Sequence, residues 1–255
     1  MDFHLPKKKI FSAVLCGALM LSASVPAFAF SDSSIASSVF EETQMAVEQA
    51  AAAGNGADLS QSPYVLKRLG LVAGNDKGDL MLDKVGTRAE ALTLFISMQG
   101  EQDEARAVDY SYPFTDIPDW FHWCAGYGVF RSYTSGISAT KFGSFDTVTP
   151  EQYMTFTLKA LDYKCGEDFT WDRSLDKAIE VGLCTRAQAN AWKNGQFRRQ
   201  EIMEISYLAL NTKVKGSNST LTDKLIAKGK ITTEQARQES LTFGTAYQAQ
   251  QEPVS

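Results

Sequence analysis

Three stretches of the chain carry apolar residues at the same offsets. They are GTRAEALTLFISM at 86–98, VTPEQYMTFTLKAL at 148–161 and FRRQEIMEISYLAL at 197–210. With Thr87, Thr149 and Arg198 aligned, the fourth residue onward is Ala91, Tyr153 or Ile202, and the fifth is Leu92, Met154 or Met203. The seventh is Leu94, Phe156 or Ile205, and the ninth is Ile96, Leu158 or Tyr207. Apolar residues at these offsets cover a broad face of a helix of at least three turns. Upstream, Gly70-Leu71, Gly128-Val129 and Gly182-Leu183 each close a short amphipathic stretch, 16 to 21 residues before the next helix start. Glycine just past an apolar-periodic run reads as a helix stop. Between stop and start lie GNDKGDLMLDKVG, SYTSGISATKFGSFDT and TRAQANAWKNGQF, all read as loops. Each unit is therefore helix, glycine stop, long loop and capped helix, and the chain is predicted to be mostly α. Agreement at two separated landmarks marks an internal repeat.

The helix starts have a local explanation. Thr87 with Glu90 forms a capping box, in which the hydroxyl accepts the third amide and the carboxylate accepts the cap amide. Thr149 with Gln152 repeats it, and Pro150 falls where a missing N–H is harmless. Capping does not explain Arg88 and Arg199, which share the first helical position in copies one and three. The helix dipole mildly disfavours a cation there. Each is either a solvated surface arginine or a fork for an anionic or hydroxyl-rich ligand.

At these residues the chain resembles the S-layer homology (SLH) domain family. Copy two carries Phe114-Thr115-Asp116-Ile117-Pro118-Asp119-Trp120 and then FGSFDTVTPEQY; copy one carries GLVAGNDKGDLMLDKVGTRAE; copy three opens at Phe169-Thr170-Trp171-Asp172 and ends in RRQE. The resemblance covers about residues 63–212 and divides the chain into repeats at 61–107 (partial), 108–164 and 165–215. It implies three helix-loop-helix repeats in a pseudo-threefold bundle, with the capped helices central and the loop-bearing halves projecting as prongs. It further implies a secreted protein of a Gram-positive-type cell wall, held non-covalently by secondary cell-wall polysaccharide, commonly one bearing a pyruvate ketal. Carried over by position, Thr87, Arg88 and Glu90 would serve one groove and Arg199 and Glu201 another, with Asp116 and Trp120 from the start of copy two. For Trp120 and Trp123, packing between prong and bundle stands beside stacking on a sugar ring. Two departures count against uniform grooves: Pro150 replaces the arginine in copy two, and Arg198 replaces the capping threonine in copy three. At most two grooves are expected to be competent.

The chain's start changes the picture only in location. Lys7–Lys9, the apolar run from Ile10 to about Ala23, and Ala27-Phe28-Ala29 form a secretory leader pattern over 1–29. Without the leader, 22 basic face 29 acidic residues, a net charge of −7. Such a surface attracts neither nucleic acid nor anionic lipid. Cys124, Cys165 and Cys184 stand at irregular spacing with no CxxC. They read as three buried thiols rather than a disulfide framework or zinc site. Residues 30–60 are a linker with a helix expected from about Ser37 to Ala53; after 216 a short helix at Leu221–Ile226 and another from Thr232 precede a polar tail, expected to be disordered from about Ser240.

The rival reading is a secreted cell-wall glycan hydrolase using a carboxylate pair. Outside the leader the single histidine, His122, leaves too little for a zinc amidase or a histidine-based triad. Acidic residues are plentiful, but none stands in a sequence context that suggests a raised pKa. Asn75-Asp76-Lys77-Gly78-Asp79 lacks the spacing and terminal glutamate of an EF-hand. No cofactor or metal is called for.

Overall fold

The computed structural model describes residues 59–244, which are mostly helical, with isolated β-bridges and no strands. The leader at 1–29, the helix expected near 37–53 and the tail beyond 244 lie outside the described residues. The helices are α1 (Ser62–Arg68), α2 (Arg88–Met98), α3 (Gln102–Ala107), α4 (His122–Phe130), α5 (Pro150–Ala160), α6 (Ser174–Glu180), α7 (Arg186–Asn194), α8 (Arg199–Leu210), α9 (Leu221–Ala227) and α10 (Thr233–Gln238). Short 3-10 turns, Leu59–Gln61, Asp119–Phe121 and Trp171–Arg173, lead directly into α1, α4 and α6.

The helix starts follow the sequence. Thr87 and Thr149 accept from the amides of Glu90 and Gln152, whose side chains accept the cap amides in return. In copy three only the second half of the box is possible, and Glu201 accepts from the Arg198 amide at 2.8 Å. The same device begins α7 at Thr185 with Gln188, so the stretch expected to be copy three's loop is largely helix.

The stops follow the sequence in two of three copies. Gly70 and Gly182 take positive φ, and the residue after each donates back across the last turn, Leu71 to Leu66 and Leu183 to Ala178. Left-handed backbone is where glycine is least strained. In copy two the expected stop at Gly128 lies inside α4. The reversal falls on Ser132, at φ 56, with Tyr133 donating to the Gly128 carbonyl. Gly128 is required for another reason: a Cβ there would meet Leu92 Cδ2 at 2.8 Å, so it lets α4 lie close on α2.

The long capped helices supply the core. Leu92, Phe95 and Ile96 of α2 and Met154 and Leu158 of α5 are almost wholly buried, as is Ile205 of α8. Burial of each such side chain contributes roughly 1.5–3 kcal/mol. Phe95 stacks on Phe156 at 5.0 Å between α2 and α5, and the Tyr153 hydroxyl hydrogen-bonds Ser206 between α5 and α8. The shorter helices pack cyclically. α1 lies on α8, α4 on α2, and α6 on α5, so each copy's first helix packs on the capped helix of a different copy.

Residues beyond the third copy are part of this fold. α9, a turn at Gly229, and α10 with a Thr232–Gln235 capping box repeat the pattern of α6, Gly182 and α7. The hairpin closes the C-terminal ends of the capped helices. Lys224 Nζ donates to the Ala160 carbonyl and pairs with Asp162, Lys228 Nζ donates to the Gln99 carbonyl, and Thr222 donates to that of Leu210. Cations at helix C-termini satisfy orphan carbonyls and favour the dipole. The packed chain runs past Ser240, where disorder was expected: Leu241 is buried and the Gly244 amide donates to Asp223.

Candidate functional site

The loop of copy two closes over the start of α2. Backbone amides of Arg88 and Ala89 donate to the carbonyls of Asp146 and Ser144, and Val148 donates to Gly86. Asp116 holds this loop from the far side, its two carboxylate oxygens accepting from the Phe142 and Gly143 amides at 2.8 Å each. Burial opposes the Asp116 charge, but the amides outweigh it and its pKa lies below the ordinary value.

The Arg88 guanidinium is laid against the loop so formed. Nε donates to the Phe142 carbonyl and Nη2 to that of Ser135, both at 3.2 Å, and the group lies 5.0 Å from the centre of the Phe142 ring. Among the described residues no carboxylate comes within ion-pair distance of it. Burial pulls its pKa below the ordinary value, with the more distant Asp146 and Asp116 favouring the charge. Arg88 lines a groove of about 330 Å³ that continues along α5 past Gln152, Thr155, Phe156 and Lys159 to Trp171. The lining contains two cations and no acidic side chain, and Trp171 is 60% exposed at its rim. A guanidinium held by carbonyls, an ammonium and an exposed indole face form a surface suited to an anionic, ring-shaped ligand.

The start of α8 repeats the arrangement with one difference. Amides of Arg199 and Gln200 donate to Lys84 and Leu82 of copy one's loop, and Arg199 Nε donates to the Leu80 carbonyl at 2.7 Å. Leu80 and Phe142 both lie seven residues before the cap of their own copy. Arg199, expected to grip ligand, instead ion-pairs through Nη1 with Glu90, and its side chain is only 11% exposed. Glu90, expected in the same role, therefore serves the capping box and this pair together.

The third junction is altered in both partners. Bridges join Thr87 to Thr147 and Val85 to Arg198, but none joins Thr149 to copy three's loop. Pro150 has no amide to donate, and α7 occupies that loop. A cleft of about 360 Å³ lies within copy three, lined by Trp192 and Gln196 with Arg198, Glu201 and Glu204. Burial raises the pKa of Glu204, and nearby Glu201 adds to the effect. Sequence context gave no sign of a carboxylate in such surroundings.

No family model matches the chain. Over 179 residues it is 28% identical to the middle cell wall protein of Brevibacillus brevis, which is 69% of this chain and 16% of that protein. Over 183 residues it is 27% identical to the surface layer protein of Brevibacillus choshinensis, 71% of this chain and 15% of the other. These relatives are cell-surface proteins by name. The chain spans less than a fifth of the length of either.

The remaining expected residues have local partners. Thr87 caps α2. Trp120 is half exposed but does not line the Arg88 groove; its carbonyl accepts from Trp123 Nε1, and Trp123 carries the Arg106 guanidinium 3.9 Å from its ring centre. Lys159 and Trp171 were absent from the expected site. Trp171 was visible in the opening of copy three, but not that this opening borders the groove of copies one and two. In the Asn75–Asp79 turn, the Asn75 side chain accepts from the Lys77 and Asp79 amides, and that of Asp79 from Met81. Among the described residues, no group of three or more His, Cys, Asp or Glu could hold a metal ion. Cys124 and Cys184 are buried, their thiols pushed up to about 12 by burial, whereas Cys165 is exposed, contrary to expectation.

Proposed function

We propose that this chain attaches non-covalently to the bacterial cell wall by binding an anionic wall polysaccharide in the Arg88 groove. The observation that carries this reading is the Arg88 guanidinium, half-buried among carbonyls yet without a carboxylate partner, in a groove shared with Lys159 and Trp171. A carboxylate-bearing sugar completes such a site through charge-assisted hydrogen bonds and ring stacking. The names of the two relatives support a place at the cell surface. In this reading Thr87, Glu90, Asp116 and Glu201 position the grooves, Arg199 holds copies one and three together, and Trp120 belongs to the prong. Co-sedimentation with purified walls tests it. The protein should pellet with native walls and stay in solution once the non-peptidoglycan polymer is extracted. Equal pelleting with both preparations overturns the reading.

One observation favours the hydrolase instead: Glu201 and Glu204 line one cleft, and the pKa of Glu204 is raised. Against it, Glu201 is engaged by the Arg198 amide and Glu204 by Gln200. Release of reducing sugar from walls, abolished by Glu204→Gln, would establish the hydrolase.

A further inference from the structure

The three junctions use the same two helix positions. At the first, copy one's Arg88 shares a groove with copy two's Gln152; at the second, copy three's Arg199 pairs with copy one's Glu90. At the third, Pro150 stands in place of an arginine, and Glu201 lines the cleft. Gln152, Glu90 and Glu201 all occupy the third helical position and all accept the cap amide of their own helix. Glutamine and glutamate perform that capping task alike, because either offers a side-chain oxygen. They differ in charge: Gln152 lies in the groove of copy one's Arg88, Glu90 pairs with copy three's Arg199, and Glu201 lines a cleft of its own copy.

We infer that the capping residue sets the charge of the groove, and that Gln152 is the specificity determinant that leaves Arg88 free to take an anionic ligand. The inference rests on the polysaccharide reading for the ligand, but its electrostatic half stands alone. Arg88 and Arg199 donate Nε to equivalent carbonyls, Phe142 and Leu80. A glutamate at 152 would therefore stand toward Arg88 as Glu90 stands toward Arg199. The groove would lose its uncompensated cation to an internal partner already in place, and an external carboxylate would have to compete with it. The first two junctions thus carry a cation and a closed ion pair on one geometry, the altered third has Glu201, Glu204 and Arg198 in its cleft, and only the first offers a cation without an ion-pair partner to an anion.

The test uses full-length Gln152→Glu and Gln152→Ala, each with and without Arg88→Ala. In co-sedimentation with native walls at neutral pH, Q152E should bind at least about tenfold more weakly than the parent, the size of effect expected for a charge-assisted contact. Q152A, which removes the side-chain amide and its cap bond without adding charge, should weaken binding less than Q152E does. Lowering the pH below the usual glutamate range of about 4.3 should recover binding for Q152E relative to Q152A. Thermal melts separate this inference from the polysaccharide reading. Q152E should raise Tm by about 1–3 °C when Arg88 is present and not when it is alanine. Parental binding by folded Q152E overturns the inference. Failure of the parent to bind walls overturns the polysaccharide reading instead. The Arg88 dependence of the Tm shift then decides the pairing, and its absence overturns it.

Discussion

Arg199 and Glu90, 109 residues apart in sequence, form an ion pair that joins the start of α8 to the start of α2. Glu90 also accepts from the Thr87 amide at 3.0 Å, so a capping residue in one copy is the counter-ion of another copy's arginine. Arg88 has the same position on its helix and no such counter-ion. Two residues that are equivalent in sequence thus have different work in the folded protein.

Arg199→Ala and Arg88→Ala should separate stability from binding. Removing Arg199 leaves the Leu80 carbonyl and a largely covered Glu90 without their partner, a loss of about 1–3 kcal/mol. Its Tm should fall by several degrees, while wall binding below the transition changes little. Arg88→Ala should lower wall binding at least tenfold with a smaller change in Tm. Parallel melts and sedimentation isotherms check both.

Trp171→Ala and Lys159→Ala should each weaken wall binding, since both side chains line the Arg88 groove. Trp120→Ala, equally a loss of an exposed indole, should leave it unchanged, because Trp120 lies outside that lining. Isotherms for the three variants, with circular dichroism to confirm folding, distinguish them.

Acid should loosen the copy-two loop through Asp116. Its folded pKa is below the unfolded value, so its contribution is present above the unfolded pKa and is lost as pH falls through the folded one. The Phe142 and Gly143 amide resonances should therefore move together as pH is lowered below about 4, the ordinary aspartate range. Asp116→Asn should abolish that titration and weaken wall binding at neutral pH.

The helix stop of copy two gives two substitutions of opposite sign. Ser132→Gly relieves a left-handed backbone and should stabilise the protein by up to about 1 kcal/mol. Gly128→Ala suits a helix interior by propensity, yet its Cβ would sit 2.8 Å from Leu92 Cδ2. Overpacking of this kind costs about 1–3 kcal/mol and should lower Tm. Thermal melts of the two variants check both signs.

Much of the secondary structure was legible because its causes are local. Thr87 with Glu90 and Thr149 with Gln152 cap their helices from within four residues, and Gly70 and Gly182 reverse the chain where they stand. The errors came where a local pattern had a second cause. Gly128 looked like a stop but is small because Leu92 is close, and the reversal passes to Ser132. The copy-three loop hid a helix behind loop-like composition, although its Thr185–Gln188 box follows the same rule as the others.

The candidate site was legible only in part. The arginines could be singled out because capping has no use for them, but their environments could not. Lys159 and Trp171 reach the Arg88 groove from α5 and from the start of copy three, and no spacing along the chain joins them to Arg88.

The sequence by itself determined where the three long helices α2, α5 and α8 begin and which faces they bury. These follow from hydrogen bonds and apolar periodicity within a few residues. Tertiary structure decided that each copy's first helix packs on another copy, and that Arg199 is neutralised while Arg88 is not. The physical reason is that what meets each arginine comes from a different copy: the Glu90 carboxylate pairs with Arg199, whereas Arg88 meets the Phe142 and Ser135 carbonyls in a groove that it shares with Gln152. Those groups, distant along the chain, act on the arginines only once it has folded.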